Sequence, residues 1–259
     1  TRFGHHSPGR PEASAAGATD ARPAPLERVH NKHRLLMLSD EFPTLKKMEL
    51  FADAPQPWRP EGVATTDLMA VFAGTHGMAN GLDAALNAAA ELRRRGRGDI
   101  KLVLIGDGQL KPALMERAQR EQLHNVVFCD PVNKTRLAGL MAATDVGLQL
   151  LANVPAFYYG TSPNKFFDYI ASGVPPLINY PGWLAELVNE HHCGFAVPPD
   201  DPAAFADALE RAAADRAELP RMGERARALA RAQFDRAVLA AQWVRWLEGA
   251  AGADAAVPA

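Results

Sequence analysis

The sequence predicts an α/β protein, a doubly wound parallel sheet with helices on both faces and further helices at the C-terminus. Three observations predict it. Short, almost wholly apolar runs recur along the chain, as strands covered on both faces require. The first two runs, at 68–73 and 100–105, each end in a glycine-rich turn. Between the runs lie segments with apolar residues at helical spacing, so strand, turn and helix repeat in the order of parallel crossovers. Ligands of such sheets bind at the carboxyl ends of the strands.

The first strand is expected at Leu68–Ala73, followed by the turn Gly74-Thr75-His76-Gly77-Met78-Ala79-Asn80-Gly81. Leu82, Ala85, Leu86, Ala89 and Leu92 then mark a helix. Arg93, Arg94 and Arg95 at its end favour the helix dipole and read as a solvated helix terminus. A second strand at Ile100–Ile105 closes in Gly106-Asp107-Gly108, with a helix to about Gln122 and a third strand at Val126–Cys129. A helix from about Thr135 to Ala143 leads to a fourth strand at Val146–Leu151. Val174-Pro175-Pro176-Leu177-Ile178 is the fifth, Gly182 opens a helix containing Val188, and Gly194-Phe195-Ala196-Val197 is the last. Tail helices are expected at about 202–214, 219–232 and 235–248, with Leu239, Trp243, Trp246 and Leu247 forming one apolar stripe.

With 259 residues and 47% hydrophobic content the chain can bury a substantial core. Its 28 basic and 30 acidic residues, a formal charge of −2, argue against a nucleic-acid surface. Cys129 and Cys193 lack metal-ligand or disulfide-framework spacing and read as reduced thiols of a cytoplasmic protein. No apolar run approaches the roughly 20 residues of a membrane span, and the N-terminus has no signal-peptide core, which leaves peripheral contact with the inner face of the cytoplasmic membrane. Residues 1–67 are expected to be an irregular or partly disordered lead-in: Ala, Pro, Gly, Arg and Ser dominate to about 30, Arg34–Leu38 offers one short strand, and Pro55, Pro57 and Pro60 suggest a linker. The domain is expected over 68–250, with 251–259 a flexible tail.

The most informative stretch is Gly160–Ile178. Ser162 before Pro163 reads as a helix N-cap with proline at the first helical position. Backbone N–H groups at such a start receive phosphate. Asp168, farther along the helix, offers a carboxylate to a vicinal diol such as a ribose, and Gly173 stops the helix.

The order of these parts resembles the C-terminal, donor-binding half of a retaining glycosyltransferase of family 4, with the two-domain GT-B fold and Rossmann-like halves. The resemblance covers about 68–248 and rests on Ala73-Gly74 with its turn, Leu104–Gly108, Asn125–Phe128, Ala143–Val146, the Asp168 helix and Gly194–Pro202. The variant Gly160–Tyr169 is similar to transferases building bacterial surface polysaccharide and lipopolysaccharide O-antigen. The resemblance implies transfer from a nucleoside diphosphate sugar with retention, no cofactor or metal, and a glycan or lipid-linked acceptor bound by an N-terminal domain for which residues 1–67 are too short. A uridine diphosphate donor is the expectation from the motif variant. The implied donor site comprises Gly74, Thr75, His76, Gly77, Asn80, Gly106, Gly108, Pro131, Val132, Thr161, Ser162, Pro163, Asn164, Lys165 and Asp168, with the backbone at Pro131 and Val132 reading the base.

The family's two glutamates separated by seven residues correspond to Gly160 and Asp168, and its phosphate-binding Arg and Lys to Thr75 and Asn80. Backbone amides and Lys165 are therefore expected to carry the diphosphate, and no catalytic base is marked. Asp107 and Asp145 read as turn residues. Tyr158 and Tyr159 read equally as donor contacts or loop anchors. His191-His192-Cys193 lacks a third ligand for a metal. The last helix, uncovered if its partner domain is missing, is expected to promote self-association. The competing readings are a noncatalytic nucleotide-sugar binding module or inactive fragment, a nucleotide-sugar epimerase of the same architecture, and a Rossmann oxidoreductase. Neither glycine turn completes G-x-G-x-x-G, which disfavours the last.

Overall fold

The computed structural model describes residues 57–254, with side chains to Gly249. Expectations for 1–56 and 255–259 lie outside the described residues. The six strands are β1 (Leu68–Ala73), β2 (Ile100–Ile105), β3 (Val126–Cys129), β4 (Val146–Gln149), β5 (Pro176–Ile178) and β6 (Phe195–Ala196). All pair in parallel, in the order β3-β2-β1-β4-β5-β6. The connecting helices are α1 (Asp83–Arg94), α2 (Lys111–Arg120), α3 (Lys134–Ala143), α4 (Asn164–Ser172) and α5 (Trp183–Glu190); the tail is α6 (Pro202–Ala214), α7 (Glu218–Gln233) and α8 (Arg236–Asp254). The helix α8 thus runs past Ala250, where the sequence suggested a flexible tail.

Alternate residues of β1 face opposite layers. Leu68, Ala70 and Phe72 join α1 and α6 in one core cluster, through Leu86, Leu92, Phe205 and Leu209. Met69 and Val71 face the other side, with Leu140, Met141 and Tyr169. A third cluster under the tail gathers Phe166, Phe167, Trp183 and Phe234. The chain winds outward from β1 to β3 and returns to β4, so the topological switch point lies between β1 and β4.

That switch point is built around one side chain. The strands β1 and β4 pair only at Ala70↔Val146 and Val71↔Gly147. Beyond, the Tyr169 hydroxyl accepts from Ala73 N at 3.2 Å and donates to Val71 O at 3.0 Å. Gly147 makes this possible, since a Cβ there would overlap the Tyr169 ring. Burial pushes the phenol pKa far up, so the group stays a neutral donor. Tyr169→Phe leaves Ala73 N–H without its acceptor, a loss of about 1–3 kcal/mol for a buried polar group; urea denaturation checks it.

Packing starts upstream of Leu68, where the prolines suggested a linker. Trp58 N donates to Gly139 O at 3.0 Å, Arg136 lies 4.1 Å over the Trp58 ring, and Val63 is buried. These isolated apolar residues have no periodicity to announce them. Asp145 orients its turn, accepting from Met69 N at 2.7 Å and Arg59 at 3.2 Å. On α8 Leu239 is buried, Trp243 and Trp246 stack with centroids 5.1 Å apart and are half-buried, and Val244 and Leu247 are exposed.

Candidate functional site

The carboxyl ends of β1, β2 and β3 are laced together by their turns. Gly74 N donates to Ile105 O at 2.9 Å, Gly106 N to Cys129 O at 3.1 Å, His76 N to Asp107 O at 2.8 Å and Leu110 N to His76 O at 3.0 Å. The approach is so close that a Cβ on Gly106, at φ +141°, would overlap the Gly74 carbonyl oxygen. Only glycine fits there.

A cavity of about 410 Å³ opens beside these turns at the switch point. Of the residues expected at the site, Gly74, Thr75, Gly106, Pro131, Val132, Lys165 and Asp168 line it. Its lining mixes two chemistries: Lys165 and Asp168 from α4 are charged, and Pro131, Val132, Leu137 and Met141 are apolar. A larger depression of about 1070 Å³ runs along α2 and the edge strand β3 and takes in Gly108. The smaller cavity has the position at which sheets of this topology bind ligands.

The remaining expected residues have other places. His76 is a correction: its ring is fully buried between Phe72 and Phe128, at 6.1 and 6.3 Å, and outside the cavity lining. Neither ring nitrogen has a partner among the described residues. Burial lowers its pKa, Lys111 acting in the same sense and Asp107 against it, which keeps the imidazole neutral. Its backbone, not its ring, serves the site by joining the two turns. Gly77 precedes the short turn of 3-10 helix Met78–Asn80 and does not line the cavity.

Ser162 does not cap α4. The N-cap is Pro163, held extended at ψ 134°, and among the described residues no side chain caps the helix. Because proline takes the position outside the first turn, Ser162 lies one residue too far back, with its Oγ buried and without a partner among the described residues. Thr161 bonds its hydroxyl to Phe157 O and receives Trp183 Nε1 on its carbonyl at 3.1 Å. Thr161, Ser162, Pro163 and Asn164 thus build the loop and helix start without lining the cavity. Tyr158 stacks on Tyr180 and bonds Asn153, and Tyr159 donates to Glu186 at 2.9 Å, so both anchor the loop.

Lys165 is the cation of the cavity wall. Its ammonium donates to Asn80 Oδ1 at 2.9 Å and lies 4.5 Å over the Phe72 ring, and no carboxylate pairs with it among the described ion pairs. Burial lowers its pKa from 10.5 to about 8. Asn80 in turn donates to Thr75 O at 2.7 Å, so one amide ties the first turn to the lysine of α4. Gly160 is exposed, and among the described residues only Ala156 O, at 3.8 Å, is near where a Cβ would stand.

Sequence reasoning passed over Lys111. Only 9% exposed, it donates to Gly106 O at 2.9 Å, Cys129 O at 3.2 Å and Asp130 Oδ1 at 2.7 Å. The available signal was its place: a lysine opening a helix opposes the macrodipole.

A family model described as glycosyl transferases group 1 matches residues 67–215. The chain belongs to that family. A D-inositol 3-phosphate glycosyltransferase of Nocardia farcinica is 34% identical to this group 1 transferase over 172 residues, 64% of the chain and 37% of the relative. The chain therefore spans little more than a third of that relative's length. Among solved structures, the C-terminal domain of a group 1 transferase, LpcC of Francisella tularensis, superposes with a TM-score of 0.56 over 73% of this chain and 98% of that domain, at 16% identity. Anabaena HepE in complex with UDP superposes at 0.62 over 78% of this chain and 55% of HepE, at 16% identity. These likenesses establish the fold, a GT-B C-terminal domain.

Proposed function

We propose that this group 1 transferase domain holds a nucleoside diphosphate sugar for transfer, with retention of configuration, to a glycan or lipid-linked acceptor bound by a domain outside the chain. The observation that carries the reading is that a desolvated ammonium, Lys165, and a carboxylate, Asp168, one turn apart on α4, both line a cavity at the switch point. Lys165 and the turn amides meet the diphosphate, Asp168 accepts from the ribose hydroxyls, and the apolar lining takes the base. Negative charge growing on the leaving diphosphate is met by dipoles and a cation already in place. The HepE complex with UDP supports a uridine nucleotide. The similarity of Gly160–Tyr169 to O-antigen and surface-polysaccharide transferases supports that pathway, at the cytoplasmic face of the membrane. Among the described residues no helix is long and apolar enough to cross a membrane.

Calorimetric titration with UDP, GDP and NAD tests the site. Binding selective for one nucleoside diphosphate is expected, weakened about tenfold or more in Asp168→Ala, as loss of hydrogen bonds to a charged acceptor implies. Preference for NAD, or an Asp168→Ala variant that binds as tightly as the parent, overturns this assignment. Gly160, which leaves the first acidic position of the motif empty, favours a second reading as a noncatalytic nucleotide-sugar binding module. Absence of sugar transfer or hydrolysis when the acceptor domain is supplied would select it.

A further inference from the structure

Two parts of the cavity lining come from the turns after neighbouring strands, and a buried ammonium reinforces the backbone bond from Gly106 N to Cys129 O that joins them. Gly106 follows β2, and Pro131 and Val132 follow β3. Between them Lys111 directs all three of its N–H donors to Gly106 O, Cys129 O and Asp130 Oδ1. Burying an ammonium is unfavourable unless its donors are satisfied, and the first turn of a helix is the wrong end for a cation. Lys111 is outside the lining of the smaller cavity and faces the larger depression, so it braces the shared wall from behind.

We propose that Lys111 is a positioning residue for base specificity: by locking Gly106 to the Cys129–Val132 segment it holds the apolar lining at the width of one class of nucleobase. The inference rests on the donor-site reading above. A wall that cannot yield discriminates among ligands by shape and by the hydrogen bonds it leaves unmade. The proposed diphosphate contact, Lys165 with its Asn80 bridge to Thr75 O, shares no hydrogen bond with Lys111.

Calorimetry with UDP, GDP and inorganic pyrophosphate separates the two contacts. Lys111→Met keeps most of the stem and removes the three donors. It is expected to weaken UDP binding about tenfold and narrow the UDP-to-GDP ratio, while pyrophosphate binding stays within about twofold, since only the nucleoside contact has lost hydrogen bonds behind it. Asp130→Ala, at a side chain 94% exposed, removes one of the three bonds without endangering the fold and is expected to shift UDP alone, by about threefold. Equal losses for UDP and pyrophosphate would make Lys111 merely structural and overturn the proposal. So would an unchanged UDP-to-pyrophosphate ratio in both variants. A parent chain that binds pyrophosphate but neither nucleotide overturns the donor-site reading, and this inference with it.

Discussion

Lys165→Met is expected to lower affinity for a nucleoside diphosphate by about ten- to a hundredfold, the range for losing hydrogen bonds made by a charged donor. The same substitution should abolish a pH dependence. In the free domain burial holds the ammonium near pKa 8. A bound diphosphate favours the charged form and raises that value, so binding takes up a proton around pH 8. Above the ligand's own phosphate ionisation, at about pH 6, affinity is therefore highest below pH 8 and falls as pH rises through it, and the methionine variant should be flat across the same window. Titration in buffers of different ionisation heat reads the proton directly. Stability moves the opposite way. The unfolded chain, with an ordinary lysine near 10.5, binds more protons than the folded one between about pH 8 and 10.5, so stability rises with pH across that window. Below pH 8 the desolvation penalty is fully present, and Lys165→Met is expected to raise the melting temperature there. A variant that binds less well yet melts higher would identify Lys165 as a residue kept for binding at the expense of the fold.

Gly106→Ala is the substitution expected to damage the fold most. Its Cβ would enter the Gly74 carbonyl oxygen at a φ of +141° that alanine adopts only under strain. Both turns must then separate, breaking the bonds of Gly74 N, His76 N and Gly106 N. The loss should be about 3 kcal/mol or more, among the larger single-residue effects. Two controls isolate the cause. Gly62, at φ +83°, has nothing within 4 Å of a Cβ among the described residues, so alanine there measures strain, about 1 kcal/mol. Gly98 has open space and no positive φ, and alanine there is expected within about 0.5 kcal/mol of the parent. Comparable losses at all three would refute the contact argument.

The strands β1, β2 and β3 have the limits the apolar runs suggested: β1 and β2 are interior strands whose burial is written in apolar residues along nearly their whole length, and β3, though a half-buried edge strand, is apolar throughout. The later strands are shorter than their runs, for reasons of tertiary bonding. The β4 ladder stops at Gln149 because the Asn179 side chain occupies both Leu151 N and Leu151 O, at 2.9 and 3.1 Å. Val174 N is used to close α4, donating to Tyr169 O, which delays β5 to Pro176. At the cavity, Lys165 and Asp168 were legible because a loop-to-helix motif places them locally. The Asn80 bridge and the Lys111 cage were not, since each joins segments whose proximity only the fold creates. His76 misled for the same reason: a histidine in a glycine turn suggests a ligand, but the packing of Phe72 and Phe128 decides which way the ring faces.

The Tyr169 hydroxyl, set where β1 and β4 part, has a thermodynamic consequence. The crevice it props is held by hydrogen bonds internal to the chain. The cost of ordering the ends of β1 and β4 there falls on folding, since the Tyr169 bonds to Val71 O and Ala73 N are made within the fold itself.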